Sequence, residues 1–400
     1  MATPAGDGSA VGQTLPQAGI ARRGLAGFFL SGLLFSFLGV ILPVWQHHIT
    51  GDFVVVGTYF LAMNLGILAS PGPARLLRRY NLSAVLALGC GLASVALVYL
   101  ALLPPGTSPW WRTGGIFFLG CGAGLLNTGV FRAITPLYRH DPAATVNLVE
   151  ALFGVGCIVM TVLVAGTFYA YTVTSILIIV AILPAFFAVV YARSRFPAAR
   201  PEGEPSLKQA FADFRSPAAV LFALLLFFQF GNEWAVAGWL PLFLIQRLGI
   251  SPESSLTMLA AYWLALLVGR VVVFSFLPSA SRGKVLMASV LAALFGCAIL
   301  TSTDNVFGAV VGILLVGGGF ASVYPLVVER IGGRFPYYHP GFFNGIFSFA
   351  LTGGLLAPWS LGFFTAEWGI GIAMLLPLAG TLMVLVLLML LWAEATFRGA

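Results

Sequence analysis

The chain has 400 residues, of which 60% are hydrophobic and only 8% charged, and its mean hydropathy is +0.99. A soluble chain carries roughly a quarter charged residues, so polar surface is too scarce to cover a water-facing core, and the chain reads as a polytopic membrane protein. The apolar runs are too long for barrel strands, which makes it all-α. The net charge of +7 lies in short gaps between those runs, which excludes nucleic acid as a partner.

Residues 1–20 are rich in Gly, Ala and Pro and read as a disordered tail. Twelve apolar segments follow at 24–46, 53–74, 83–103, 112–134, 146–168, 172–192, 217–246, 255–277, 284–302, 306–328, 340–364 and 370–392. Each is near or above the ~20 residues that a helix needs to cross the hydrocarbon. The longest interior polar stretch divides six spans from six, giving a first bundle over 21–192, a cytoplasmic linker over 193–216 and a second bundle over 217–400. Of the 20 basic residues, 17 fall on one side if both termini lie inside, Arg112 and Arg247 fall opposite, and Arg270 lies within a span. The positive-inside rule then puts both termini in the cytoplasm of a multi-pass inner-membrane protein. Cys90, Cys121, Cys157 and Cys297 each fall in an apolar run and read as small core residues.

Enzyme chemistry finds no footing. There is no Gly-x4-Gly-Lys-Ser/Thr loop, no Cys/His cluster with metal-ligand spacing, and the adjacent His47 and His48 point apart on a helix, so no enzyme activity, metal or cofactor is expected. The informative groups are those that are costly in lipid. Glu233 sits near the middle of the seventh span, where an unpaired charge costs at least ~3 kcal/mol. With Asn232, Trp234 and Trp239 it reads as a solute-binding or proton-exchanging carboxyl, or else as a carboxyl that ties helices together. Glu150 and Arg132 lie at similar depth near one end of the fifth and fourth spans, a candidate gate pair or a permanent salt bridge. Arg270, in the eighth span, could snorkel, pair with an acid such as Glu329, or bind an anionic solute. Gln46, Tyr59, Asn64, Asn127, Tyr262, Trp263, Tyr324 and Asn344 complete the cavity candidates, because amides, phenols and indoles hydrogen-bond hydroxyls and flat rings stack on pyranose C–H faces. Trp110, Trp111 and Trp368 near span ends read as interface anchors.

The two halves also repeat. Tyr-Phe-Leu-Ala-Met-Asn-Leu-Gly at 59–66 matches Tyr-Trp-Leu-Ala-Leu-Leu-Val-Gly at 262–269, the Leu-Pro pairs at 42–43 and 240–241 are 198 apart, and Asn147 and Asn344 are 197 apart. Such offsets point to a duplicated six-helix unit. This 6+6 pattern resembles the major facilitator superfamily. The blocks Gly-Cys-Gly-Ala-Gly-Leu-Leu-Asn at 120–127, Asn-Leu-Val-Glu-Ala-Leu-Phe-Gly-Val-Gly at 147–156, Gly-Asn-Glu-Trp-Ala-Val-Ala-Gly-Trp-Leu at 231–240 and Tyr-Trp-Leu-Ala-Leu-Leu-Val-Gly-Arg at 262–270 resemble its fucose–galactose–glucose:proton symporter branch. The resemblance implies two pseudo-symmetric six-helix bundles, a central cavity that the seventh helix lines, and a sugar as solute. It does not carry proton coupling across. The family's acids in the first and fourth spans are absent, and Leu76 stands where the signature after Gly72 has an acid, although Arg75, Arg78 and Arg79 keep its basic part. The expectation is a monomeric secondary transporter of a small polar solute, a sugar or polyol, with protons as a candidate coupling ion. A drug or organic-anion exporter and a non-transporting receptor or scaffold are the alternatives.

Overall fold

The computed structural model describes residues 14–77, 81–104, 106–135, 137, 142–196, 214, 216–276, 281–335 and 345–397. Among the described residues, twelve helices are long and apolar enough to cross a membrane. Spans 1 to 6 are Arg22–Val44, Phe53–Ala74, Leu82–Leu102, Pro109–Ala133, Ala144–Thr167 and Val173–Ala192. Spans 7 to 12 are Pro217–Leu248, Pro252–Ser275, Arg282–Ser302, Val306–Arg334, Phe349–Trp368 and Ile372–Thr396. Large apolar side chains such as Val95, Phe186, Phe295 and Phe307 are exposed on the outer surface, as lipid-facing helices require. One expectation changes at the start of the chain. The first helix begins at Thr14, inside the stretch read as a disordered tail, because Pro16 falls in its first turn, where the missing N–H costs nothing. Most of the linker, and Asn344, lie outside the described residues.

Helices in lipid gain nothing from burying apolar surface against one another, so close packing has to come from small residues. Three glycine contacts do this in the first bundle and recur in the second, 197 residues on. A Cβ on Gly120 of span 4 would collide with the Met63 carbonyl of span 2, and one on Gly317 of span 10 with the Tyr262 carbonyl of span 8. Gly122 and Gly319 press spans 4 and 10 onto Ala93 and Ala293 of spans 3 and 9. Gly156 of span 5 meets the Phe29 carbonyl of span 1, and Gly353 of span 11 meets the Phe227 carbonyl of span 7. The repeat seen in sequence is therefore a repeat of backbone contacts.

Two spans are broken at mid-course. Span 1 steps at Ser36, whose hydroxyl donates to the Leu33 carbonyl at 3.2 Å. Span 10 steps at Ala321–Ser322, between helices ending at Phe320 and starting at Val323. A break of this kind frees backbone groups, which in lipid must find partners within the protein.

The backbone contacts make a direct prediction. Gly156→Ala and Gly353→Ala each force span against span and should cost about 1–3 kcal/mol, the usual range for overpacking. Gly166→Ala, at a position with open space around it, should be neutral. Thermal melting of the detergent-purified variants, followed by size-exclusion profile, checks the contrast.

Candidate functional site

With twelve spans, the start of span 1 and the end of span 12 lie on one side, the terminal face; residues 47–52 lie on the other, the distal face. The seam between the two bundles runs from one face to the other.

Near the distal face the seam is closed. Gly57 of span 2 packs on the Trp359 carbonyl and Gly362 of span 11, and Gly39 of span 1 packs on the Ala237 carbonyl of span 7. The Trp239 ring stacks on Phe60 at 6.1 Å and lies 6.0 Å from Phe53, while its Nε1 donates to the Pro358 carbonyl at 3.0 Å. Gln246 Nε2 of span 7 reaches across to donate to the His48 carbonyl at 2.9 Å.

At mid-depth the Phe35 ring of span 1 stands between Trp234 of span 7 (5.4 Å) and Phe153 of span 5 (5.8 Å). Glu233, half-buried, accepts a hydrogen bond from Gln229 Nε2 at 2.7 Å, one turn back along the same helix. The fields of Arg270 and Glu150 both reach its carboxyl. Tyr262, fully buried in span 8, is within reach of the charges on Glu233 and Arg270. The Oη of Tyr262 and the Nε1 of its neighbour Trp263 are buried donors with no hydrogen-bond partner among the described residues. Each costs about 1–3 kcal/mol in that condition, which a solute hydroxyl accepting from them would offset.

Towards the terminal face one ion pair crosses the seam. Arg270 Nη2 of span 8 lies 2.7 Å from Glu150 Oε2 of span 5, and its Nη1 donates to the Glu150 carbonyl at 3.0 Å. The Arg270 Nε donates to the Ala321 carbonyl at 3.4 Å, at the break in span 10. Arg270 is 5% exposed, so its charge is held inside the protein and does not snorkel. A crevice lined by Phe131, Ile134, Thr145, Val146, Val149, Glu150 and Tyr324 opens beside the pair.

Several sequence expectations change against this geometry. Glu150 pairs with Arg270 rather than with Arg132, because span 5 faces span 8 across the seam and depth alone does not select a partner. Arg270 does not pair with Glu329, which is bound by Arg282 at 2.9 Å. Asn232 turns away from Glu233: its Nδ2 donates to Thr381 Oγ1 at 3.3 Å, and it packs on Gly380 of span 12. Gln46 is exposed beyond the end of span 1 with φ +64°. Asn64 donates to the Phe60 carbonyl of its own helix at 2.8 Å. Trp239 belongs to the distal closure, and Tyr59 packs on Trp45 and His47 of the distal turn. Tyr324 lines the crevice and packs on Phe230 at 5.2 Å, and Asn127 is half-buried in span 4. The four cysteines are free thiols.

Twelve spans in two repeated bundles, with charged groups held at the seam between them, are the architecture of a membrane transporter built from a repeat. The Major Facilitator Superfamily model matches residues 24–358, and the chain belongs to that superfamily. An uncharacterised MFS-type transporter of Yersinia pestis is 24% identical over 315 residues, covering 77% of this chain and 79% of its own. Among solved structures, a variant of the Escherichia coli fucose:proton symporter FucP superposes with a TM-score of 0.63 at 15% identity, covering 94% of this chain and 98% of its own. A variant of the nucleoside transporter NupG gives 0.71 at 16% identity, covering 94% and 99%. At these identities the two structures share the fold.

Removing one partner of a buried ion pair strands the other, at about 3–5 kcal/mol. Glu150→Gln and Arg270→Gln should each loosen the seam, so that Val149→Cys at the crevice reacts faster with maleimide. The exchange Glu150→Arg with Arg270→Glu should recover part of the protection. Labelling rates left unchanged in both single variants would reduce the pair to static packing.

Proposed function

We propose that this protein is a secondary active transporter that carries a small polar solute, a sugar or sugar-like polyol, by alternating access. The membrane is the cell (inner) membrane, both termini and the 193–216 linker are cytoplasmic, and the monomer is the working unit. Glu233 is the solute-binding carboxyl. The observation that carries this reading is its place at mid-depth, half-buried next to Trp234 in sequence and within reach of Tyr262 of span 8, whose hydroxyl is buried without a hydrogen-bond partner among the described residues. A hydroxyl-rich solute donates to the carboxylate, accepts from the phenol and indole, and lays its C–H face on an aromatic ring.

The anion-exporter alternative is weaker on charge. Arg270, the cation nearest the centre, is already neutralised by Glu150, and the group beside it, Glu233, repels an anion when ionised. Protons are the favoured coupling ion, because a carboxyl that donates when protonated and only accepts when ionised changes its affinity for the solute as it exchanges a proton. The rocking cycle follows from the seam: the distal closure parts while the Glu150–Arg270 side holds, then the reverse.

Counterflow in proteoliposomes, with labelled monosaccharides, polyols, nucleosides and organic anions, separates the readings, since a receptor or scaffold exchanges none of them. In Glu233→Gln, size and hydrogen bonding remain but titration is lost. The variant should lose proton-driven accumulation by at least tenfold and keep counterflow if the carboxyl carries the proton; both should fall together if it only binds. Wild-type counterflow and pH dependence in the variant would return Glu233 to packing.

A further inference from the structure

The distal turn holds a titratable cluster that the transport site does not use. Span 1 ends at Val44, and Gln46 enters the short helix His47–Thr50 with φ +64°, the one non-glycine residue with positive φ among the described residues. That left-handed step is costly for a residue with a side chain, and it folds His47 back under the turn, where it is 3% exposed. His47 Nδ1 lies 2.7 Å from Asp52 Oδ1, which also accepts from Thr50 Oγ1. The carboxylate fixes the tautomer: Nδ1 carries the hydrogen and donates, so Nε2 is the acceptor. That Nε2 is buried and without a hydrogen-bond partner among the described residues. The imidazole also lies against Trp45 (6.4 Å) and Tyr59 (5.5 Å), and the Arg112 guanidinium of span 4 sits 5.2 Å over the Trp45 ring. The next residue, His48, supplies the carbonyl to which Gln246 of the second bundle donates.

We propose that His47 is a proton-binding site that controls the distal closure: neutral, it holds the turn against the second bundle, and protonated, it releases it. The two protonation states differ at one atom. Neutral His47 spends its hydrogen on Asp52. Protonation puts a second hydrogen on Nε2, which is buried without a hydrogen-bond partner among the described residues, with Arg112 adding like charge. The cation is accommodated only if the turn opens and the ring meets water, and the turn takes the His48 carbonyl with it.

The charged and titratable groups around the ring agree with this sign. Burial first, and Arg112 last, lower the affinity of His47 for its proton, while Asp52 raises it; the net position is below the ordinary 6.5. Asp52 is pushed up by burial, but the hydrogen bonds from His47 and Thr50 outweigh it and keep the carboxyl below its usual range, so it is ionised throughout. His48 is also lowered, by burial and by His47. On span 7, Arg247 beside Gln246 is held by Asp304 at 2.7 Å. The closed form thus binds the proton more weakly than a solvated ring does. Closure is fully favoured above about pH 6.5 and is lost progressively below it, as pH falls through the closed-state value.

The test uses the full chain in lipid nanodiscs and needs no solute. Spin labels at Tyr169→Cys and Phe307→Cys, both exposed on the distal face of opposite bundles, report the width of the closure by pulsed electron resonance. From pH 8 to pH 5 the long-distance population should grow, by up to about tenfold in ratio per pH unit within the window. His47→Gln should stay closed and flat across the range, and His48→Gln should keep the response. Asp52→Asn should carry the response on to more acid pH, because the closed-state imidazolium has lost its carboxylate. A pH-independent distance, a response that survives His47→Gln, or saturation in Asp52→Asn at an unchanged or higher pH would each overturn the proposal. Because no transport is measured, the outcome stands apart from the identity of the solute.

Discussion

Everything in this molecule follows from the lack of a hydrophobic drive between helices already surrounded by lipid. Contact then has to come from backbones brought within van der Waals range and from a small number of polar ties. The glycine contacts at 120, 122 and 156, and again at 317, 319 and 353, knit each bundle to its own neighbours through carbonyls and Cα atoms that cannot yield. Between the bundles the contacts are mixed. Glycine faces meet near one end, an aromatic layer fills the middle, and an arginine reaches across near the other end. Stiff units joined by a seam of separable contacts are what a rocking motion needs.

The same constraint explains where charge is tolerated. Arg270 is affordable inside the protein because each of its three nitrogens meets an acceptor: the Glu150 carboxylate, the Glu150 carbonyl and the Ala321 carbonyl. The last of these is free because span 10 breaks there. A helix break that would be a liability in lipid becomes part of an arginine site. Glu233 is held differently, by an amide from its own helix, and stays half-buried within reach of Tyr262, whose hydroxyl has no partner among the described residues. One charge is locked and the other is left available, and the proposed division of labour between gate and solute site rests on that difference.

Much of this was legible in the sequence, because lipid makes every polar residue in a span expensive. Twelve runs, the duplication, and the placing of Glu233, Glu150 and Arg270 inside apolar spans can all be read from residue type and position. The pairing could not be read. Asn232 and Glu233 are adjacent, yet successive residues on a helix point about 100° apart, so one faces span 12 and the other the seam. Arg132 and Glu150 sit at matching depth on consecutive helices, but the rotation of span 5 turns Glu150 to span 8. Gln46 reads as a cavity residue because an apolar run does not show where a helix ends and a turn begins, and Tyr59 because its residue type does not show which face of span 2 it occupies. Nor does residue type alone pair His47 with Asp52. The Gly51 between them, at φ +64°, was the available signal that the chain turns and brings five-apart residues together.

The central claim is that the bundles part and close along this seam. It is tested most directly by locking the distal end where Gln246 meets His48. In a His48→Cys/Gln246→Cys protein, a short bis-methanethiosulfonate cross-linker should abolish counterflow of the solute that the panel identifies. Reduction with dithiothreitol should restore it, and either single variant treated alike should keep its activity. Undiminished counterflow through the cross-linked protein would mean that the seam does not open there, and would contradict the account.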